Sequence, residues 1–261
     1  MNLPLLIDPA FYLVSIPAVL LYGIAKGGFG GAIAVVAVPL MALAMEPTRA
    51  AAIMLPILVL MDVIVVKVYW GKFDRRALQI LLPGALLGIV IGYLAADNMS
   101  EHWMRLLIGI VAVSFGLNHF LSSTKNTRRP HRCLVGGFWG TVAGFTSFSI
   151  HSGGPPLTIY LLSRGLAPLL FAGTAGIFFA VVNIIKLIPY TLLGQFNTEN
   201  LLYSLVLMPI APLGVWTGRY LVERINPKVY YGIISALLML VGCRLSWQGA
   251  SGVLATGAGV T

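Results

Sequence analysis

The stretch from Ala77 to Ala96, ALQILLPGALLGIVIGYLAA, holds no Asp, Glu, Lys or Arg. A helix rises about 1.5 Å per residue, so a run of this length covers the ~30 Å hydrocarbon core of a bilayer. The same bareness recurs from Leu106 to Thr124, from Gly165 to Ile185 and from Asn200 to Gly218. Several such runs cannot all be core helices of one soluble domain of 261 residues. Composition agrees: 58% of the chain is hydrophobic and 10% is charged, whereas a soluble domain carries about 25% charged residues. The period-two alternation of an outer-membrane barrel is missing. The fold class is an all-α integral membrane bundle.

The net charge of +9 would suggest nucleic acid in a soluble protein. Here the basic residues stand in loops beside apolar segments, which is the positive-inside bias, so the partner is the lipid bilayer and not nucleic acid. Cys133 and Cys243 provide neither a metal nor a disulfide framework, and no cofactor is implied. Met1 to Pro9 has no Lys or Arg and so lacks the basic region of a cleavable signal peptide. The first apolar stretch is expected to belong to the mature protein.

Ten apolar segments follow one another: Ala10 to Ala25, Ala32 to Met45, Ala50 to Val68, Ala77 to Ala96, Trp103 to Ser122, Leu134 to Ile150, Gly154 to Ser163, Leu169 to Leu193, Leu201 to Gly218 and Val229 to Trp247. Residues 1–124 form a first membrane repeat and residues 134–248 a second. A basic linker, 125–133, joins them, and 249–261 reads as a flexible Gly/Ala/Ser-rich tail. Trp70, Tyr93, Trp103, Tyr220 and Trp247 lie near segment ends, where amphipathic rings favour the membrane interface.

The halves resemble each other. Gly30-Gly31 recurs 123 residues later as Gly153-Gly154, and Gly71-Lys72-Phe73-Asp74 recurs at the same offset as Gly194-Gln195-Phe196-Asn197. Pro83, Gly88 and Gly92 recur 126 residues on as Pro209, Gly214 and Gly218, and Gly109 recurs at 123 as Gly232. If each segment reverses direction, one face receives Lys26, Lys72, Arg75, Arg76, Lys125, Arg128, Arg129, Arg132, Arg164, Arg219, Arg224 and Lys228. The other receives Arg49, Arg105 and Arg244. The first face is then cytoplasmic and both termini are outside. The matched loops fall on opposite faces, as in the inverted repeats of secondary transporters.

Lys26-Gly27-Gly28-Phe29-Gly30-Gly31 separates two apolar segments of marginal length for separate crossings. Its counterpart is Phe148-Ser149-Ile150-His151-Ser152-Gly153-Gly154-Pro155-Pro156. Glycine and proline interrupt helices, and unwound backbone at membrane depth persists where it lines a cavity or is buried in protein. Each following segment opens with free N–H groups and a positive dipole end, which favour an anion. Pro155 and Pro156 lack that hydrogen, so Ser152, Gly153, Gly154 and the next turn must supply it. These glycines have a second reading, as small residues that let helices pack closely.

The glycine-rich break followed by an apolar run with Pro39, the Gly71-Lys72-Phe73-Asp74 loop, the Pro83-x4-Gly88-x3-Gly92 pattern and the degenerate second copy together resemble the TauE/SafE family. That is a family of sulfite and organosulfonate exporters. The resemblance runs from about Leu13 to Val241 and implies a small anionic substrate such as sulfite, sulfoacetate, isethionate or a taurine-derived sulfonate. A bacterial inner-membrane location follows from it.

Charges within segments complete the candidate site. Asp62 lies deep in the third segment, Lys186 deep in the eighth, and Asn183 one turn before Lys186. A charge at the bilayer centre costs about 2.5–3.5 kcal/mol on insertion scales and faces a partner or a water-filled cavity. Aligning the repeats sets Asp62 and Lys186 at neighbouring positions of equivalent helices. They are expected either to form a structural pair or to couple protons to transport, with Asp62 as carrier. The candidate substrate-binding residues are Lys26, Gly27, Gly28, Gly30, Gly31, His151, Ser152, Gly153, Gly154, Asn183 and Lys186. An anion channel is the alternative function. An intramembrane enzyme using His151 and Ser152 is a further one, disfavoured because no GxSxG or HExxH pattern is present.

Overall fold

The computed structural model describes residues 8–31, 34, 37–41, 44–95, 102, 106, 109–110, 113, 117 and 132–257. The fifth apolar segment, most of the basic linker and residues 258–261 fall largely outside these. Among the described residues the chain is helical and without strands. The helices are α1 (Pro9–Gly28), α2 (Ala37–Met41), α3 (Pro47–Val68), α4 (Arg75–Leu94), α5 (Cys133–Ile150), α6 (Gly154–Leu162), α7 (Pro168–Leu192), α8 (Thr198–Leu207), α9 (Ile210–Arg224) and α10 (Pro227–Gly257). Among the described residues five are long and apolar enough to cross a membrane, or six if the α8–α9 pair, bent by 47° at its break, is one span. Helix α6 has nine residues and reaches about 14 Å, too short to cross alone. Residues Gly249–Gly257, expected as flexible tail, continue α10 instead. Gly252 there lies against the His102 ring, a contact that composition does not reveal.

The surface is that of a protein in lipid. Leu87, Phe138, Ile188, Leu213 and Leu240 all point outward, which hydrocarbon accepts at no cost. Trp70, Tyr93 and Tyr220 are exposed near helix ends, and Trp247 is exposed within α10, ten residues before its end; Trp103 is outside the described residues.

The matched loops are built alike. Gly71 (φ 76°) and Gly194 (φ 66°) sit in the left-handed region after α3 and α7, a conformation that suits glycine because it has no Cβ. Three residues later Asp74 caps α4 by accepting the Ala77 N–H at 3.0 Å. Asn197 caps α8 by accepting the Asn200 N–H at 2.7 Å. The repeated tetrapeptide thus performs the same stop-and-restart twice.

Helix directions follow from contacts along their length. Helix α7 runs antiparallel to α3: Asn183 bonds Asp62, Gly176 lies on Val65, and Gly173 lies on Lys72 and Tyr69. The α8–α9 span runs with α3, since Arg49 bonds Asn200 (3.2 Å), Ser204 bonds the Ile53 carbonyl (2.7 Å) and Arg219 bonds the Val68 carbonyl (3.3 Å). The Gly71 loop therefore follows the end of α3, and the Gly194 loop lies by its beginning.

Two glycine seams exchange partners between the halves. Helix α4 of the first half packs on α5 of the second: a Cβ on Gly88 would strike the Thr141 carbonyl, and one on Gly144 the Ala85 carbonyl. Helix α9 of the second half packs in the same way on α1 of the first. A Cβ on Gly23 would come within 2.8 Å of Gly214 Cα, and one on Gly28 would strike the Gly218 carbonyl. Small residues allow this backbone approach, and dispersion between apposed backbones then holds the helices together in lipid.

Candidate functional site

Each seam delivers the C-terminal end of a broken helix to the interior. At the end of α1 the orphan carbonyls of Gly27 and Gly28 are taken up by the hydroxyls of Tyr69 and Tyr230 respectively, the second at 2.8 Å. Gly30 and Gly31 then turn the chain with φ of 62° and 79°. At the end of α5 the corresponding left-handed residue is His151, with φ 51°. Its turn is closed by the Ser152 N–H donating to the Thr146 carbonyl at 3.1 Å.

The two breaks meet. A Cβ on Gly31 would lie 3.7 Å from Gly154 Cα and 3.1 Å from one edge of the Phe179 ring; a Cβ on Gly153 would lie 3.0 Å from the adjacent ring edge. Phe179, on α7, is thus the surface against which both turns are laid.

Two buried polar clusters flank this meeting point. In the first, the Lys26 ammonium is 2.7 Å from Asp62 Oδ1 and donates to the Leu58 carbonyl at 3.1 Å. Asn183 Nδ2 donates to the other carboxylate oxygen at 2.8 Å. In the second, Lys186 Nζ donates to the Ser147 carbonyl (2.6 Å), to Ser147 Oγ (3.3 Å) and to His151 Nδ1 (2.7 Å). Three acceptors for three protons is the complement of an ammonium group. Because Nδ1 accepts, the ring proton of His151 sits on Nε2, which faces the Ala51 carbonyl at 3.1 Å. Tyr190 Oη stands 3.3 Å from Nε2 and donates to the Phe148 carbonyl at 3.1 Å.

The expected pair of Asp62 with Lys186 is not formed; the partner of Asp62 is Lys26. Antiparallel packing of α7 on α3 sets Asp62 level with Asn183, while Lys186 falls one turn further along, beside the His151 turn. Helix α1 travels along α3 and brings Lys26 to the carboxylate. Gly27 and Gly28 are pressed against Val215 and Gly218, so for these two close packing is what the geometry displays. Gly30 abuts Phe171, whereas Gly31, Gly153 and Gly154 stand where the breaks touch.

The anion cradle expected at helix N-termini is sparse. Helix α2 has five residues. In α6, Pro155 and Pro156 lack N–H groups, and the Leu157 N–H goes to the Gly153 carbonyl at 3.3 Å. Positive charge comes instead from the lysines. Hydroxyl donors are at hand: Ser152 Oγ and Thr158 Oγ1 are buried without a partner among the described residues. No hydrogen bond joins His151 to Ser152, whose pairing a nucleophile–base mechanism would need.

A model of one protein family, Sulfite exporter TauE/SafE, matches residues 15–245. The chain belongs to the TauE/SafE family. Comparisons with curated proteins and with solved structures return no match. As a member of TauE/SafE, a transporter family, the chain is a multi-pass membrane protein with a role in transport. Several partners in its interior went unrecognised in the sequence, among them Ser147, Phe179 and Tyr190 beside the breaks and Tyr69 and Tyr230 on the α1 carbonyls. Spacing held a signal for two of them, since Ser147 precedes His151 by four and Tyr190 follows Lys186 by four, one helical turn in each case. Nothing marked Phe179 among twelve phenylalanines.

Proposed function

We propose that the chain is a secondary transporter of a small sulfur-containing anion, sulfite or an organosulfonate, in the bacterial inner membrane. It works by alternating access between two inverted halves, residues 1–124 and 134–248. The observation that carries this reading is Lys186: a buried cation whose bonded acceptors are all neutral, next to the place where the two breaks meet. Among the described residues, the one carboxylate of the site is already engaged by Lys26 and Asn183.

Support for inversion comes from helix directions. Helix α4 returns from α3, yet its counterpart α9 runs with α3, and the two matched loops lie at opposite ends of that helix. Exchange of glycine seams between halves also suits a rocking motion of one half against the other. For a monoanion, exit across an inside-negative membrane is downhill by about 2.3 kcal/mol per 100 mV, so export needs little coupling. In the coupled form Asp62, ion-paired with Lys26 in this state, is the proton carrier.

The test is flux in proteoliposomes of sulfite, isethionate, sulfoacetate and taurine, with and without a pH gradient. Saturable movement of at least one is expected. Rapid, non-saturating conduction would favour the channel reading, and absence of both binding and flux for all four would overturn the assignment.

A further inference from the structure

We propose that the site is charge-matched to a monoanion, taking hydrogensulfite or an R–SO3⁻ ion whose R group is uncharged, such as isethionate, and rejecting dianions such as sulfate and sulfoacetate. This rests on Lys186 being the anion-binding cation, as in the functional reading above. The count uses the charged and titratable groups around it among the described residues. Helix α1 contributes Lys26 and Tyr22, with the Lys26 ammonium 6.0 Å from the Tyr22 ring centroid. Helix α3 contributes Asp62, and α7 contributes Lys186 and Tyr190. The turn after α5 contributes His151.

Lys26 and Asp62 cancel at 2.7 Å. His151 is neutral, because its Nδ1 accepts from Lys186 at 2.7 Å. Tyr190 is a neutral phenol, because it donates to the Phe148 carbonyl. The sum is one positive charge, that of Lys186. Other basic residues do not alter it. Arg49 is paired with Glu199 at 2.6 Å and Arg219 with Glu223, both on the rims. Arg164 stands beyond the far end of α6, about 14 Å of helix away.

One negative charge on the ligand therefore neutralises the interior, and a second would be buried without a counter-ion. Ser152 Oγ, next to His151 and buried without a partner among the described residues, is a hydroxyl donor suited to a sulfonate oxygen. It adds a hydrogen bond but no charge, so it leaves the count intact.

The experiment uses the full chain in detergent and calorimetric titration with methanesulfonate, sulfate and sulfite. Methanesulfonate and sulfate are close in size and differ by one charge. Methanesulfonate is expected to bind at least about a hundredfold tighter than sulfate, a difference two decades wide in Kd. Sulfite affinity falls by about tenfold per pH unit above its second ionisation, as linkage to one proton requires, while methanesulfonate affinity stays flat. Asp62→Asn raises the count to two and shifts preference towards sulfate. Gly137→Ala, with nothing within 4 Å of the added Cβ, keeps the wild-type ratio. Equal binding of methanesulfonate and sulfate, or a ratio in Asp62→Asn no different from wild type, overturns the charge match and leaves the transporter reading standing. Failure of methanesulfonate and sulfite alike to bind overturns both.

Discussion

Replacing Lys186 by methionine removes the charge on which the anion site depends while keeping an unbranched side chain of similar length. Two unit charges ~4 Å apart at an effective dielectric constant of about 20 attract by about 4 kcal/mol. Truncating one partner of a buried, hydrogen-bonded charge pair costs about 2–5 kcal/mol. At 1.4 kcal/mol per decade this weakens anion binding by about 30- to 3,000-fold. The fold should survive. The Ser147 carbonyl and His151 Nδ1 each lose a donor, at about 1–3 kcal/mol apiece. Against that, an ammonium no longer has to be kept out of water, a relief of several kcal/mol. These terms offset each other, and the net change in stability is expected within about 2 kcal/mol. Calorimetric titration with the best-bound sulfonate gives the first quantity, and thermal unfolding in the same detergent gives the second. A well-folded Lys186→Met protein that binds with unchanged Kd would refute the assignment of the site.

Single cysteines at Lys72 and Gln195 should label from opposite sides of the membrane; labelling from the same side rules out the inverted arrangement. Gly194→Ala should cost about 1–2 kcal/mol of stability from the left-handed backbone alone, since nothing lies within 4 Å of the added methyl. Gly31→Ala carries the same backbone cost plus contact with Phe179, and is expected to lose binding besides; equal stability and normal binding in both would show that the first break is not at the site. Asp62→Asn should retain anion binding but lose pH-driven flux if this carboxyl carries the proton, and pH-driven flux as in wild type would eliminate it. Glu199→Gln, on a partly exposed pair with Arg49, should leave the unfolding temperature nearly unchanged; a clear drop would mean that this pair clasps α3 to α8.

Membrane class and helix positions were legible because they depend on quantities local in sequence. A charge-free run of about twenty residues favours a spanning helix, and Ala77 to Ala96 differs from α4 by no more than two residues at either end; Asn200 to Gly218, equally bare, bends between α8 and α9. The Gly-x-Phe-Asp/Asn loops were legible for the same reason, since a left-handed glycine followed by an Asx cap is complete within seven residues. The end of α10 was misread because its glycines were taken as chain-loosening. Gly249 and Gly252 instead allow close approach to Leu106 and His102, and such a contact is invisible without the partner.

The interior charges show where local reading ends. Aligning the halves placed Asp62 and Lys186 at neighbouring positions of equivalent helices, and in the structure Asp62 stands level with Asn183, one turn from Lys186. Depth does not choose a partner, however, and two helices, α1 with Lys26 and α7 with Asn183 and Lys186, bring a basic or amide group towards Asp62. Helix α1 decides the contest because its glycine seam with α9 lets it lie along α3, with Lys26 directly at the carboxylate. That seam involves Gly23, Gly27, Gly28, Gly214 and Gly218, residues from both ends of the chain. The glycines read as either packing or binding elements thus act on binding through packing: by fixing where α1 ends, they assign Lys26 to Asp62 and leave Lys186 with neutral partners. If so, Gly214→Leu, far from any proposed ligand contact, should loosen the Lys26–Asp62 pair and weaken sulfonate binding along with stability. Gly137→Ala, with nothing within 4 Å of the added Cβ, serves as the control that should leave both unchanged.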